Sequence, residues 1–226
     1  MARHIRFDAS DSGGKDSPSG YEDRESGEVT VHETPGADTD DMAQLQHLSE
    51  GIIDLDEFEG LFRTFDHSAW RLESRRRFAS DEATDTYRQF VKTGTVDWDG
   101  EDPYCELIRS QTAQGKRVER VRIVDQPPTT GQLYLLNNAK RNSGLGEDIR
   151  NLWRADAERL RLPSEDFWLF DSRIAAKLRF DDEDNFVDVE LISASAEMAR
   201  YSAIREAAWH HALSFEEFAV RLSDSG

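Results

Sequence analysis

The sequence predicts an α+β fold: an antiparallel sheet with helices before and after it, behind an acidic N-terminal tail. Three observations predict it. Residues 162–192 read LPSEDFWLFDSRIAAKLRFDDEDNFVDVELI, three apolar runs (Phe167–Phe170, Ile174–Phe180 and Phe186–Ile192) separated by two polar breaks. Strand-type runs bounded by Asp, Asn and Ser clusters are the pattern of hairpin-linked strands. Apolar residues recur at helical spacing on both sides of that meander. Residues 7–41 are rich in Asp, Glu, Ser, Gly and Thr and nearly empty of large apolar side chains. Such a segment cannot bury enough surface to offset its ordering entropy. The division expected is a disordered acidic tail over residues 1–53 and one domain over 54–226.

Asp54 and Glu57 have capping-box spacing, so a helix is expected to start there. Leu55, Phe58, Leu61, Phe62 and Phe65 give it an apolar stripe. Residues 68–73 (SAWRLE) alternate, with Trp70 and Leu72 on one side and Arg71 and Glu73 on the other, which reads as a short strand. A second helix is expected over Asp81–Lys92, with Tyr87, Phe90 and Val91 inward and Gly94 past its end. A third covers Pro103–Ala113, because Pro suits the first turn and Gly115 a C-terminal cap. Val118–Val124 is a strand whose apolar positions do not share one parity, so a bulge or burial on both faces is implied. Leu133, Leu135 and Leu136 fit strand or helix, and residues 130–142 lean to helix. Gly144 and Gly146 flank a turn before GEDIRNLW. After the meander, Ser195–Leu213 is a helix with Met198, Tyr201, Ala208, Trp209 and Ala212 along its apolar stripe. Ser214 and Glu217 repeat the capping-box spacing and start a short terminal helix.

The net charge is −18 over 226 residues. Residues 1–50 hold seven Asp and five Glu against four Lys or Arg, a net of −8, which leaves −10 for the rest. An acidic chain gains nothing from the counterion release that drives nucleic-acid binding, so direct binding to nucleic acid is disfavoured. The one cysteine, Cys105, permits no intramolecular disulfide and fits a reducing cytoplasm; a buried structural thiol is the expectation. No run of about 18 apolar residues marks a membrane span, and Arg3, His4, Arg6 and Asp8 are not followed by the apolar core of a signal peptide.

Candidate chemistry is confined to charged and aromatic residues. Glu147, Asp166 and Asp171 are the acids that a metal-dependent hydrolase or nuclease-like enzyme would have to bring together, with Lys177 near the transition state. Asp148 lies beside them, and Asp181, Asp182, Glu183 and Asp184 read as a solvated hairpin turn. Arg71, Arg75, Arg76, Arg77, Arg120, Arg122 and Arg150 supply cations. Pairing with Glu73, Glu147 or Asp148 is the simpler expectation, and a phosphate-reading pocket the sharper one. His210 and His211 are adjacent on a helix and point about 100° apart, which is poor geometry for a metal. No metal or other cofactor is expected. Trp98 and Trp153 lie among polar residues and could mark a partner-binding surface.

Five phrases together resemble one family of unknown function from Streptomyces and its actinobacterial relatives. They are Ser68–Glu73 (SAWRLE), Gly115–Val118 (GKRV) with Arg120-Val121-Arg122, Gly146–Arg150 (GEDIR), Asp166–Asp171 (DFWLFD), and Arg205 with Ala208-Trp209. The resemblance spans about residues 55–220. Thr129–Leu136 departs from the aromatic-rich form of that family. The family looks like a companion encoded beside helix-turn-helix regulators, which implies a regulatory context and no established chemistry.

The function expected is therefore a non-enzymatic regulatory or interaction protein that binds a protein partner, a helix-turn-helix regulator, rather than DNA. Its partner-binding or ligand-binding residues are expected among Arg71, Glu73, Arg122, Glu147, Asp148, Arg150, Asp166, Trp168 and Asp171. The alternatives are the hydrolase using Glu147, Asp166 and Asp171, and a small-molecule sensor with a pocket lined by Trp168, Arg122 and Tyr201.

Overall fold

The computed structural model describes residues 50–97 and 103–224. Their eight strands form one sheet in the order β1-β7-β6-β5-β2-β3-β4-β8. In chain order the strands are β1 (Gly51–Ile53), β2 (Ser68–Glu73), β3 (Arg117–Val124), β4 (Glu147–Trp153), β5 (Asp166–Phe170), β6 (Ile174–Phe180), β7 (Phe186–Ile192) and β8 (Leu213–Ser214). The helices among the described residues are α1 (Leu55–Thr64), α2 (Ala79–Glu82), α3 (Asp85–Thr93), α4 (Pro103–Ala113), α5 (Thr130–Ser143), α6 (Arg154–Arg159), α7 (Ser195–His211) and α8 (Phe215–Ser223).

The meander forms as expected: β5, β6 and β7 pair antiparallel in sequence order. Two features correct the expected plan. First, β2, β3 and β4 pair parallel. Parallel neighbours need a crossover, and helices α2 to α4 and α5 supply the two. Helices thus run between strands as well as before and after the sheet. Second, Gly51–Ile53, placed in the tail because order was expected to begin at Asp54, form β1 and pair with Leu191, Glu190 and Val189. Most of the expected tail lies outside the described residues, as does Trp98.

Local signals explain the helix ends. Asp54 and Ser214 each close a capping box with the glutamate three residues on, and Thr129 with Gln132 makes a third. After α4, Lys116 N–H bonds the Gln111 carbonyl and Gly115 N–H the Thr112 carbonyl, with Gly115 at φ 81°, the left-handed Schellman ending. The helix expected over 81–92 divides in two. The Thr84 hydroxyl caps Tyr87 N–H and its own donor reaches the Asp81 carbonyl, so a new helix starts at Asp85. Tyr87 and Phe90 do turn inward, but Val91 is exposed.

The sheet is covered on both faces. Along β3, Val118, Arg120, Arg122 and Val124 point one way, and Glu119, Val121 and Ile123 the other; all seven are buried. Two-sided burial, not a bulge, explains the uneven parity of this strand. On one face Phe58 and Phe62 from α1, Phe65 at its C-terminal cap and Ile108 from α4 pack on Ala69, Val118, Trp168 and Phe170. On the other, Met198, Tyr201 and Ala208 from α7 and Ala157 from α6 pack on Trp70, Leu72, Val121 and Phe167. The first face carries the candidate site.

Candidate functional site

Strand register brings the charges together. Arg71 neighbours Arg120 across the parallel β2–β3 pair, and Glu73 neighbours Arg122. On the other side of β2, Arg71 is opposite Trp168. Two arginines side by side would repel, and Glu73 removes that conflict. One of its carboxylate oxygens accepts from Arg120 Nη1 at 2.7 Å and lies 3.6 Å from Arg71 Nη1; the other accepts from Arg122 Nε. Arg120 Nε donates to Glu147 at 2.8 Å and its Nη2 to the Tyr104 hydroxyl at 3.1 Å. Arg122 Nη1 donates to the Leu135 carbonyl of α5 at 2.6 Å. Asp166 accepts from the Ser74 backbone N–H and hydroxyl, each at 2.7 Å, and lies 3.4 Å from Arg71 Nη2.

The cluster is closed to water: Glu73 is 1 % exposed, Arg122 2 %, Glu147 2 % and Asp166 3 %. Burial by itself would raise the Glu73 carboxyl, but Arg122, Arg71 and Arg120 outweigh it and hold it below the usual carboxylate range. Burial would likewise lower Arg120, but Glu147 and Glu73 hold it above its ordinary value. Asp166 moves the other way, raised by its burial against the pull of Arg71. Three cations and three acids thus neutralise one another. Buried charges persist when paired and hydrogen-bonded in this way.

Above the cluster lies a cavity of about 540 Å³. Its floor includes Arg71, Arg120 and Trp168, and its walls include Tyr104, Phe78 and Tyr134. Asp81 and Asn138 contribute polar groups from α2 and α5. The Arg71 guanidinium lies 5.7 Å from the Trp168 ring and 5.5 Å from that of Phe78. Arg122, Glu147 and Asp166 lie beneath this lining rather than in it.

The residues singled out from sequence are thereby sorted. Arg71, Glu73, Arg122, Glu147, Asp166 and Trp168 share the one buried face. Asp148 and Arg150 do not: they pair with each other at 3.2 Å near the protein surface, and the Arg150 guanidinium stacks 3.8 Å from the Trp209 ring. Asp171 is a backbone anchor at φ 51°, its carboxylate accepting the N–H groups of Asp66, His67 and Ser68 at 2.8 Å each. Glu147, Asp166 and Asp171 therefore have separate partner sets. Lys177 pairs with Glu165 at 3.3 Å. Among the described residues no group of three or more His, Cys, Asp or Glu side chains is placed to hold a metal ion. His210 and His211 are both exposed. Asp181 accepts from Glu183 N–H and Asn185 N–H, as a hairpin-turn aspartate does. Trp153 packs on Phe218 with ring centroids 4.3 Å apart.

The pocket drawn from sequence for a sensor is corrected in two of its three residues. Tyr201 lies on the opposite face, against Phe167, and Arg122 is sealed under Glu73. Only Trp168 lines the cavity. Tyr104, Asp81 and Asn138 were not singled out, and no local pattern marks them. They sit on three different helices and line one cavity only through the tertiary structure.

The anchor role of Asp171 predicts that Asp171→Ala leaves three N–H groups without their acceptor. The expected loss is about 2 kcal/mol in urea unfolding. An unchanged midpoint would show that water replaces the carboxylate at no cost.

A family model described as "Domain of unknown function (DUF6879)" matches residues 56–220. No curated protein matches the chain. No helix among the described residues is long and apolar enough to cross a membrane.

Proposed function

We propose that this chain, which belongs to the DUF6879 family, is a non-enzymatic regulatory protein that works by binding a protein partner. The partner we propose is a DNA-binding regulator of helix-turn-helix type. The observation that carries the non-enzymatic reading is the commitment of every candidate acid. Glu147 is bonded to Arg120, Asp166 to Ser74, and Asp171 to three backbone N–H groups. Acids held this way serve folding, and opposite charges at short range quench their use as bases or metal ligands. The choice of partner is supported by the net charge of −18, which complements the basic surface of a DNA-binding protein, and by the phrases that resemble a regulator-associated family.

Two measurements test the reading. Purified protein given phosphodiester and phosphomonoester substrates with magnesium or manganese is expected to show no turnover. Turnover that is removed by chelator and by Glu147→Gln would replace this reading with the hydrolase. Tagged protein recovered from a cell that encodes it is expected to retain a helix-turn-helix protein in near-equal amount. Recovery without one would remove that partner.

A second reading, the small-molecule sensor, is favoured by the cavity itself. Its volume of about 540 Å³ lies within the roughly 300–1,000 Å³ of small-molecule sites, and its mixture of aromatic walls with a few convergent polar groups is that of a ligand pocket. Occupancy of such a pocket could set the affinity for the partner, so the two readings are compatible.

A further inference from the structure

We propose that the cavity binds a small zwitterion of amino-acid type with an aromatic or apolar body. Its ammonium would sit at Asp81, its carboxylate at Arg71, and its body among Trp168, Phe78 and Phe180. This rests on the sensor reading and names its ligand class.

Asp81 lines the cavity, and its carboxylate takes no hydrogen bond or ion pair among the described residues. Asp81 is partly exposed at the cavity, so its carboxylate is open to a cation that enters there. Burial, with Glu73 adding to it, pushes Asp81 up to about 6. The acid is thus poised to accept an ammonium. Asn138 also lines the cavity.

Arg71 is the complementary group. Arg120 and Arg122 are closed, with side chains 7 % and 2 % exposed and bonded at short range to Glu73. Arg71 retains 14 % exposure and reaches its acids only at 3.4 and 3.6 Å. It is the most exposed of the three guanidiniums, and a guanidinium fork suits a carboxylate.

Asp81 lies within electrostatic reach of Arg71 yet forms no ion pair with it. The cavity lining therefore carries an acid and a guanidinium with no ion pair between them. A singly charged anion would gain from Arg71 and be repelled by Asp81. A simple amine would gain from Asp81 and meet Arg71, Arg120 and Arg141 on the lining. A molecule carrying both charges satisfies both. The rings of Phe78 and Phe180, with centroids 5.6 Å apart, and of Trp168 offer apolar surface for its body and π-faces for its cation.

The test is calorimetric titration of the full chain at pH 7.5 with L-phenylalanine and L-tryptophan, with phenethylamine and tryptamine, and with 3-phenylpropionate and indole-3-propionate. The amino acids are expected to bind at least about tenfold more tightly than either the amines or the acids, about 1.4 kcal/mol per tenfold. Asp81→Asn should weaken amino-acid binding at least about tenfold without lowering the melting temperature, and Arg71→Lys should weaken it while keeping the cluster's charge. Equal binding of an amine or of an acid, or an Asp81→Asn protein that binds as well as wild type, would overturn the zwitterion. Failure of all six probes would overturn it too. A thermal-shift screen of uncharged and singly charged molecules of similar size then decides the sensor reading. A hit lost on Ser80→Trp, which fills the cavity, keeps a sensor without the zwitterion, and no hit ends both.

Discussion

Glu73→Gln is expected to destabilise the protein by roughly 3–5 kcal/mol, because removing one partner of a buried ion pair leaves uncompensated charge behind. Glu73 is the common acceptor of Arg120 and Arg122 and lies 3.6 Å from Arg71. A glutamine could bond one guanidinium but would neutralise none. The two flanking acids cannot make up the loss, since Glu147 already bonds Arg120 and Asp166 already bonds Ser74. Glu73 is held below the usual carboxylate range when folded. Its contribution is therefore fully present above its unfolded value, near pH 4.5, and is lost as pH falls through the lower folded value. Urea unfolding at neutral pH should show the full gap between variant and wild type, and the gap should narrow in acid. A gap under about 1 kcal/mol at neutral pH would mean that water reaches the cluster and screens it.

Phe167→Ala is expected to cost about 3–5 kcal/mol, the range for deleting a large side chain from a packed core. Phe167 is fully buried on the sheet face opposite the charged cluster, with its ring 4.5 Å from that of Tyr201 and 5.7 Å from that of Trp70. Its neighbour Trp168 fills the other face, against Phe62 at 4.8 Å. The segment is thus buried on both sides, and neither face can yield to close the void. A loss below about 1 kcal/mol would mean that α7 moves in to fill the space. Paired with Glu73→Gln, this variant separates the two halves of the core. Phe167→Ala should leave ligand binding in the cavity intact in the fraction that stays folded.

Much of the secondary structure was legible in the sequence because its signals are local. The capping boxes at Asp54 and Ser214, the glycine ending at Gly115 and the apolar runs separated by polar breaks over residues 166–192 each act over a few residues, and each produced its element. The split at Thr84 was missed because a threonine within an apolar-periodic stretch reads equally as a helical residue or a cap. Strand β4 was missed because Glu147–Trp153 carries charges on a face that most sequences would expose.

The sequence by itself determined the acidic balance, the chain positions of most helices and strands, and the supply of arginines and acids in β2, β3 and β5. Only the tertiary structure decided that β2, β3 and β4 lie parallel and adjacent. That adjacency sets Arg71 beside Arg120 and Glu73 beside Arg122, and α1, α4 and α5 then shut the polar side of those strands away from water. The physical reason is the range of the forces. Backbone hydrogen bonds within a helix or a turn are written over a few residues, whereas the burial of a charge and the identity of its partner depend on segments nearly a hundred residues apart, as between Ser74 and Asp166. Asp81 illustrates the point: as sequence it is one acid at a helix start, and the tertiary structure makes it a carboxylate without an ion pair on the lining of a cavity.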